Sequence, residues 1–156
     1  MPAEVFKNHI RIRVNGILKQ EDTVLLVQLK SPVTEELVWM PPGGGLQFGE
    51  EMKVALQREF NEECGLEIEV GNLAFINELV KPPFHAVECY FWVEKTGGEL
   101  RRGSDPELGQ DEQLLKDLKW IKVEELSALN TVPNDLAEII KQSPSHQEKP
   151  IFYSGK

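Results

Sequence analysis

Glu59, Glu62 and Glu63 are the residues with the clearest chemical signature in this chain. They are spaced i, i+3 and i+4 in a segment that reads as a helix, so they fall within an arc of roughly 100°. Each like-charged pair on such a face costs on the order of 0.2–0.5 kcal/mol unless something neutralises it. A bound cation would do so, and hard divalent cations take carboxylate oxygens. Just ahead lie Gly43, Gly44 and Gly45, with Gly49 close behind. Glycines at that density let the backbone approach a ligand closely. Together they suit a ligand held close to the backbone beside a cation. Divalent cations held by glutamates offset the charge of an anionic ligand and acidify an attacking water. A carboxylate left free and raised in pKa by its neighbours could take the proton. The plain alternative is a solvated acidic helix face, with Arg58 as an i, i+4 partner of Glu62.

The elements that must position these groups follow from periodicity. The helix is expected from about Glu50 to Cys64, with Met52, Leu56, Phe60 and Cys64 as its packed stripe, the acids beside that stripe, and Gly65 at C′. Upstream, Ile10, Ile12 and Val14 alternate with Arg11 and Arg13, which predicts a half-buried strand with its arginines outward; Gly16–Leu18 continue it. Thr23–Leu29 should complete a hairpin, and Leu37–Met40 form a short strand stopped by Pro41 and Pro42. Downstream, Leu66–Val70 and Leu73–Leu79 read as two strands around a Gly71-Asn72 turn, His85–Glu94 as the most strand-like segment, Arg101–Asp117 as a loop, and Trp120–Val123 as a strand. A helical turn over Glu124–Leu129 and a helix opened by Pro133 and running to about Gln142 follow. The closing SPSHQEKPIFYSGK is expected to be mobile, with Ile151, Phe152 and Tyr153 able to dock. The expected class is α+β, an α/β/α sandwich with a mixed β-sheet.

Length and charge narrow the class further. The 156 residues suit one domain, with a core over about 9–142 and a tail over 143–156. With 26 acidic against 17 basic residues, net −9, a protein that grips nucleic acid by its phosphates is not expected. Cys64 and Cys89 make no disulfide framework and read as buried thiols in a reducing compartment. No run has the length of a signal peptide's apolar core or of a membrane span, so a cytoplasmic protein without membrane contact is expected.

Written with its spacing, the segment is Gly44, five residues, Glu50, seven residues, Arg58-Glu59-Phe60, one residue, Glu62-Glu63, one residue, Gly65-Leu66. It resembles the Nudix box at every fixed position, and Trp39 with Pro42-Gly43-Gly44 and the late Trp120 look like the family's flanking features. The resemblance to Nudix hydrolases implies an α/β/α sandwich and Mg²⁺- or Mn²⁺-dependent hydrolysis of a nucleoside diphosphate linked to another group. It implies that Glu59, Glu62 and Glu63, with the carbonyl of Gly43, hold metal, that Arg58 orients a catalytic carboxylate, and that Glu50 steadies the loop and helix. A further acid before the late tryptophan often completes such a site; Glu112 is the choice here, with Glu107 and Asp111 as rivals. Relatives often carry an acid between the glycines and Glu50, where this chain has Leu46, Gln47 and Phe48, so the number of metal ions stays open. Pro82, 16 residues beyond the box, is similar in placement to ADP-ribose pyrophosphatases. ADP-ribose or a nucleotide sugar is therefore the expected small-molecule substrate. A nucleoside triphosphate, or a non-catalytic nucleotide-binding module, is the alternative. His9, His85 and His146 have no ligand spacing, though His85 could line a pocket, and the IFY segment could pack across a homodimer.

Overall fold

A computed structural model describes residues 2–31, 33–103, 115–142 and 151–155. A short 3-10 turn, Pro2–Phe6, precedes β1 (Ile10–Gln20), β2 (Thr23–Lys30), β3 (Leu37–Met40) and β4 (Gly43–Gly45). Then come α1 (Met52–Cys64), β5 (Leu66–Lys81), β6 (Phe84–Gly98), β7 (Leu115–Lys122), a 3-10 turn over Val123–Ala128, α2 (Leu136–Gln142) and β8 (Ile151–Gly155). The strands order as β3-β2-β1-β6-β5-β8, with β4 also on β1 and β7 on β2. β1 runs parallel to β6 and β8 parallel to β5, while the other pairs are antiparallel, so the sheet is mixed.

β1 and β2 share only the pairs Lys19 with Val24 and Gln20 with Thr23. Beyond that turn they part, β1 continuing with β4 and β6, β2 with β3 and β7. Strand alternation then feeds two cores. Val14, Leu18, Leu25, Phe91 and Val93 pack with Leu56, Phe60 and Cys64 of α1. Their sequence neighbours Ile17, Val24, Leu26, Tyr90 and Trp92 pack on the other side with Leu136, Ile139 and Ile140 of α2. That is helix, sheet, helix: the expected α/β/α sandwich of α+β character. No helix among the described residues is long and apolar enough to cross a membrane.

Several expectations are corrected. α1 begins at Met52, because Glu51 is still extended (φ −74°, ψ 145°). Gly71-Asn72 is no turn: β5 runs through it, its register on β6 shifting between Val70 and Leu73, so pairing with a long neighbour overrides a local turn signal. The reversal comes instead at Pro82-Pro83, between paired Lys81 and Phe84. Pro133 precedes α2 rather than opening it. The glycines Gly43–Gly45 are a strand on β1, and Ile151–Gly155 is a strand on the edge of β5. Arg13 is 9% exposed, not outward on a solvated face, whereas Ile10 is 61% exposed.

Candidate active site

α1 lies close to β1 because Gly16 has no side chain: a Cβ there would stand 2.5 Å from the Phe60 ring. Leu56, Phe60 and Cys64 are fully buried, and Gly65, at φ +72°, ends the helix with its N–H bonded to the carbonyls of Asn61 and Phe60. This packing presses the flanking acids inward. Glu59 and Glu63 are 9% and 8% exposed, while Glu62 is half-buried.

Arg58 gathers the acids. Its Nε and Nη2 donate to the two oxygens of Glu50 at 2.8 and 2.9 Å, a bidentate pair. Nη1 donates to Glu59 Oε1 at 2.9 Å and to Glu62 Oε2 at 3.4 Å, and Nη2 reaches the Gly45 carbonyl at 3.4 Å. One guanidinium thus ties three carboxylates to the glycine strand. On the same strand the Gly43 N–H donates to Glu63 Oε1 at 3.1 Å. Gly44 runs directly over Glu59: a Cβ there would stand 2.5 Å from both carboxylate oxygens. Absence of a side chain is what lets the backbone pass.

The electrostatics differ from acid to acid. Burial pushes Glu59 up to about 7; Arg58 pulls against that shift and Glu62 adds to it. The hydrogen bond from Arg58 holds Glu50 below the usual carboxylate range, and Glu50 in turn raises Arg58. Burial also raises the Cys64 thiol, which leaves it an inert core group.

Among the described residues no three His, Cys, Asp or Glu side chains converge tightly enough to hold a metal ion. The donor chemistry nevertheless fits a hard divalent cation. Glu59, Glu62 and Glu63 offer oxygens only, they sit against a glycine strand, and Arg58 is one cation among four carboxylates. Beside them opens a cleft of about 700 Å³ whose walls include Gly44, Gly45, Glu59, Glu63, Arg13 and Phe48.

The structure therefore brings Gly43, Glu50, Arg58, Glu59, Glu62 and Glu63 together. Glu112, Glu107, Asp111 and His146 lie outside the described residues. His85 pairs with Glu78 at 3.0 Å; neither it nor Pro82 lines the cleft, whereas His9 does. Sequence reasoning missed Arg13 and the N-terminal turn, whose Phe6 ring covers the Arg11 guanidinium at 3.8 Å and lines the same cleft. The only signal was an arginine in an apolar alternation.

Comparison with known proteins decides the family, since a NUDIX domain model matches residues 9–142. The chain belongs to the Nudix family. It is 29% identical over 128 residues, 72% of the chain, to a protein of Methanocaldococcus jannaschii named ADP-ribose pyrophosphatase, covering 75% of that protein. It is 32% identical over 104 residues, 67% of the chain, to the Homo sapiens 8-oxo-dGDP phosphatase NUDT18, spanning 31% of that longer protein. The crystal structure of a MutT NUDIX hydrolase from Burkholderia pseudomallei superposes with a TM-score of 0.70 at 21% identity, covering 85% of this chain and 98% of the other, a likeness of fold. This Nudix hydrolase is thus an enzyme of a family that acts on small-molecule nucleotides and generally uses divalent cations.

Proposed function

We propose that this chain is a single Nudix domain that hydrolyses a diphosphate linkage in a nucleoside diphosphate derivative, with ADP-ribose or a nucleotide sugar as the favoured substrate. The observation that carries the reading is the Arg58 hub, which holds Glu50, Glu59 and Glu62 against a strand of glycines at the wall of a cleft. Glu59, Glu62, Glu63 and the Gly43 carbonyl would hold Mg²⁺, or Mn²⁺. When bound there, the cation would offset diphosphate charge and acidify the attacking water.

The chain's own residues do the rest. Arg58 holds Glu50, Glu59 and Glu62 together by bidentate and shared hydrogen bonds, which limits the side-chain movement needed to bring the acids onto a cation. Gly44 and Gly45 let the diphosphate meet backbone directly. Glu59, pushed up to about 7 by burial in the metal-free site, would give up its proton on holding the cation. Glu112 remains the proposed further base. The substrate preference is supported by the name of the M. jannaschii relative, and a second reading, an oxidised nucleotide, by that of the human one. A cytoplasmic enzyme, able to pair as a homodimer and without nucleic-acid or membrane partners, completes the proposal.

The test is a panel of ADP-ribose, nucleotide sugars, dinucleoside polyphosphates and nucleoside triphosphates, incubated with protein and Mg²⁺ and resolved by chromatography. ADP-ribose or a nucleotide sugar should be split at its diphosphate, and EDTA should stop the reaction. Nucleotide binding without turnover of any compound would replace the enzyme by a binding module.

A further inference from the structure

Beyond the Nudix box, β1 buries an arginine that feels the charge of Glu59 but makes no hydrogen bond or ion pair at its Nε among the described residues. Arg13 is 9% exposed, its Nε is buried with no hydrogen-bond partner, and no ion pair among the described residues includes it. Its register neighbours are Gly45 on β4 and Glu88 on β6. Glu88 Oε1 is already taken by the Asn77 side-chain amide at 3.0 Å and the Tyr90 hydroxyl at 3.1 Å. On the Gly45 side there is no side chain, and a Cβ built there would meet no atom within 4 Å. Arg13, nine-tenths buried as a residue, thus borders open space in the wall of the cleft that also holds Glu59 and Glu63.

Attraction to Glu59 offsets part of the cost of burying this charge, but a buried donor left without a hydrogen bond remains costly. The open donors suit an anion that arrives from outside. Arginine's planar fork matches a phosphate through two parallel N–H donors, and its weak hydration makes it the cation best suited to such a wall. Anything seated against Gly43–Gly45 meets the acidic helix and Arg13 together. We infer that Arg13 is a phosphate-binding residue of the cleft, pairing with the substrate's diphosphate where the glutamates alone would repel it. This rests on the diphosphate reading above for the identity of the substrate, but not for the anion site itself.

The test is calorimetric titration with inorganic pyrophosphate in Mg²⁺, for the wild type, Arg13→Gln and Arg13→Lys, with Lys30→Gln, an exposed position outside the cleft, as the control for net charge. Arg13→Gln should weaken binding about tenfold or more, the loss expected of one charge-assisted pair. Arg13→Lys should restore part of it, as a point charge without the fork. Lys30→Gln should stay within twofold, and melting temperatures of the Arg13 variants should hold or rise. Pyrophosphate affinity unchanged by Arg13→Gln, no pyrophosphate binding by the wild type, or failure of both Arg13 variants to fold would each overturn the inference, the last by making Arg13 a structural ion. Turnover on the panel with binding indifferent to Arg13 sinks this inference alone; binding that depends on Arg13 without turnover sinks the enzymatic reading alone.

Discussion

Glu59 is held by two opposing effects, burial that favours its neutral form and Arg58 that favours its charged one, and burial wins. Its folded pKa of about 7 lies above the ordinary 4.5, so the stability it contributes is complete below that ordinary value and is lost as pH rises through about 7. Metal-free protein should therefore melt at progressively lower temperature between pH 5 and pH 8. Glu59→Gln should flatten that slope, and Mg²⁺ should restore the melting temperature at the upper end by favouring the charged form. Melts in EDTA and in Mg²⁺ across the window decide it; a slope indifferent to Glu59→Gln counts against it. Glu50 has the opposite sign, lowered by Arg58, and loses its contribution only as pH falls through the acid range, outside this window. Glu62 is a cleaner probe of chemistry, because its 3.4 Å contact with Arg58 is half-exposed and contributes at most about 1 kcal/mol. Glu62→Gln should cut turnover by orders of magnitude while the melting curve and circular dichroism hold; near-normal rates would remove it from the metal site. The acids were legible in the sequence because helical periodicity alone sets them on one arc. Arg13 was not. Alternation says only that Arg11 and Arg13 share a face, and whether that face meets water depends on where β2, β7 and the glycine strand fold, which no local pattern states.

The glycine strand and α1 work as a unit, and two adjacent glycines in it should answer substitution differently. At Gly44 an added methyl meets the end of the Glu59 side chain, which can swing away. Gly44→Ala should therefore cost stability little, below about 1 kcal/mol, yet lose most turnover because Glu59 is displaced. At Gly43 the methyl would meet the Val14 carbonyl in the backbone of β1, which cannot yield. Gly43→Ala should destabilise by about 1–3 kcal/mol or more, peeling β4 from β1. Chemical denaturation beside steady-state rates separates the two; equal stabilities would contradict the geometry. Elements with their own signal were read well: Leu37–Met40 residue for residue, α1 to within two residues at its start, its end marked by Gly65. Those whose form depends on a partner were not. Gly71-Asn72 carries a turn signal that pairing with β6 overrides, and Gly43–Gly45 has no strand propensity yet becomes one on β1.

At the scale of the molecule, β8 closes an edge. Ile151–Gly155 pairs in parallel with Phe75–Leu79 of β5, covering backbone groups that would otherwise invite another strand. Deleting residues 151–156 should lower the melting temperature and promote association through the bared edge, read by calorimetry and light scattering; a monomer of unchanged stability would show the strand to be dispensable. The layering of helix, sheet and helix was foreseeable from the order of elements, but the pairing of distant strands was not, since hydropathy carries no record of which strand lies beside which. That pairing also sets an order in time. β1 lies along β6, Ile10 beside His85 and Leu18 beside Val93, so β1, made before β6, must wait for it. The acidic helix is made in between, before Phe91 and Val93 of β6, which pack with its Leu56 and Phe60. A helix of 13 residues is marginal in water without such packing, so a chain stopped short of β6 should leave its crowded acids solvated and the centre unformed.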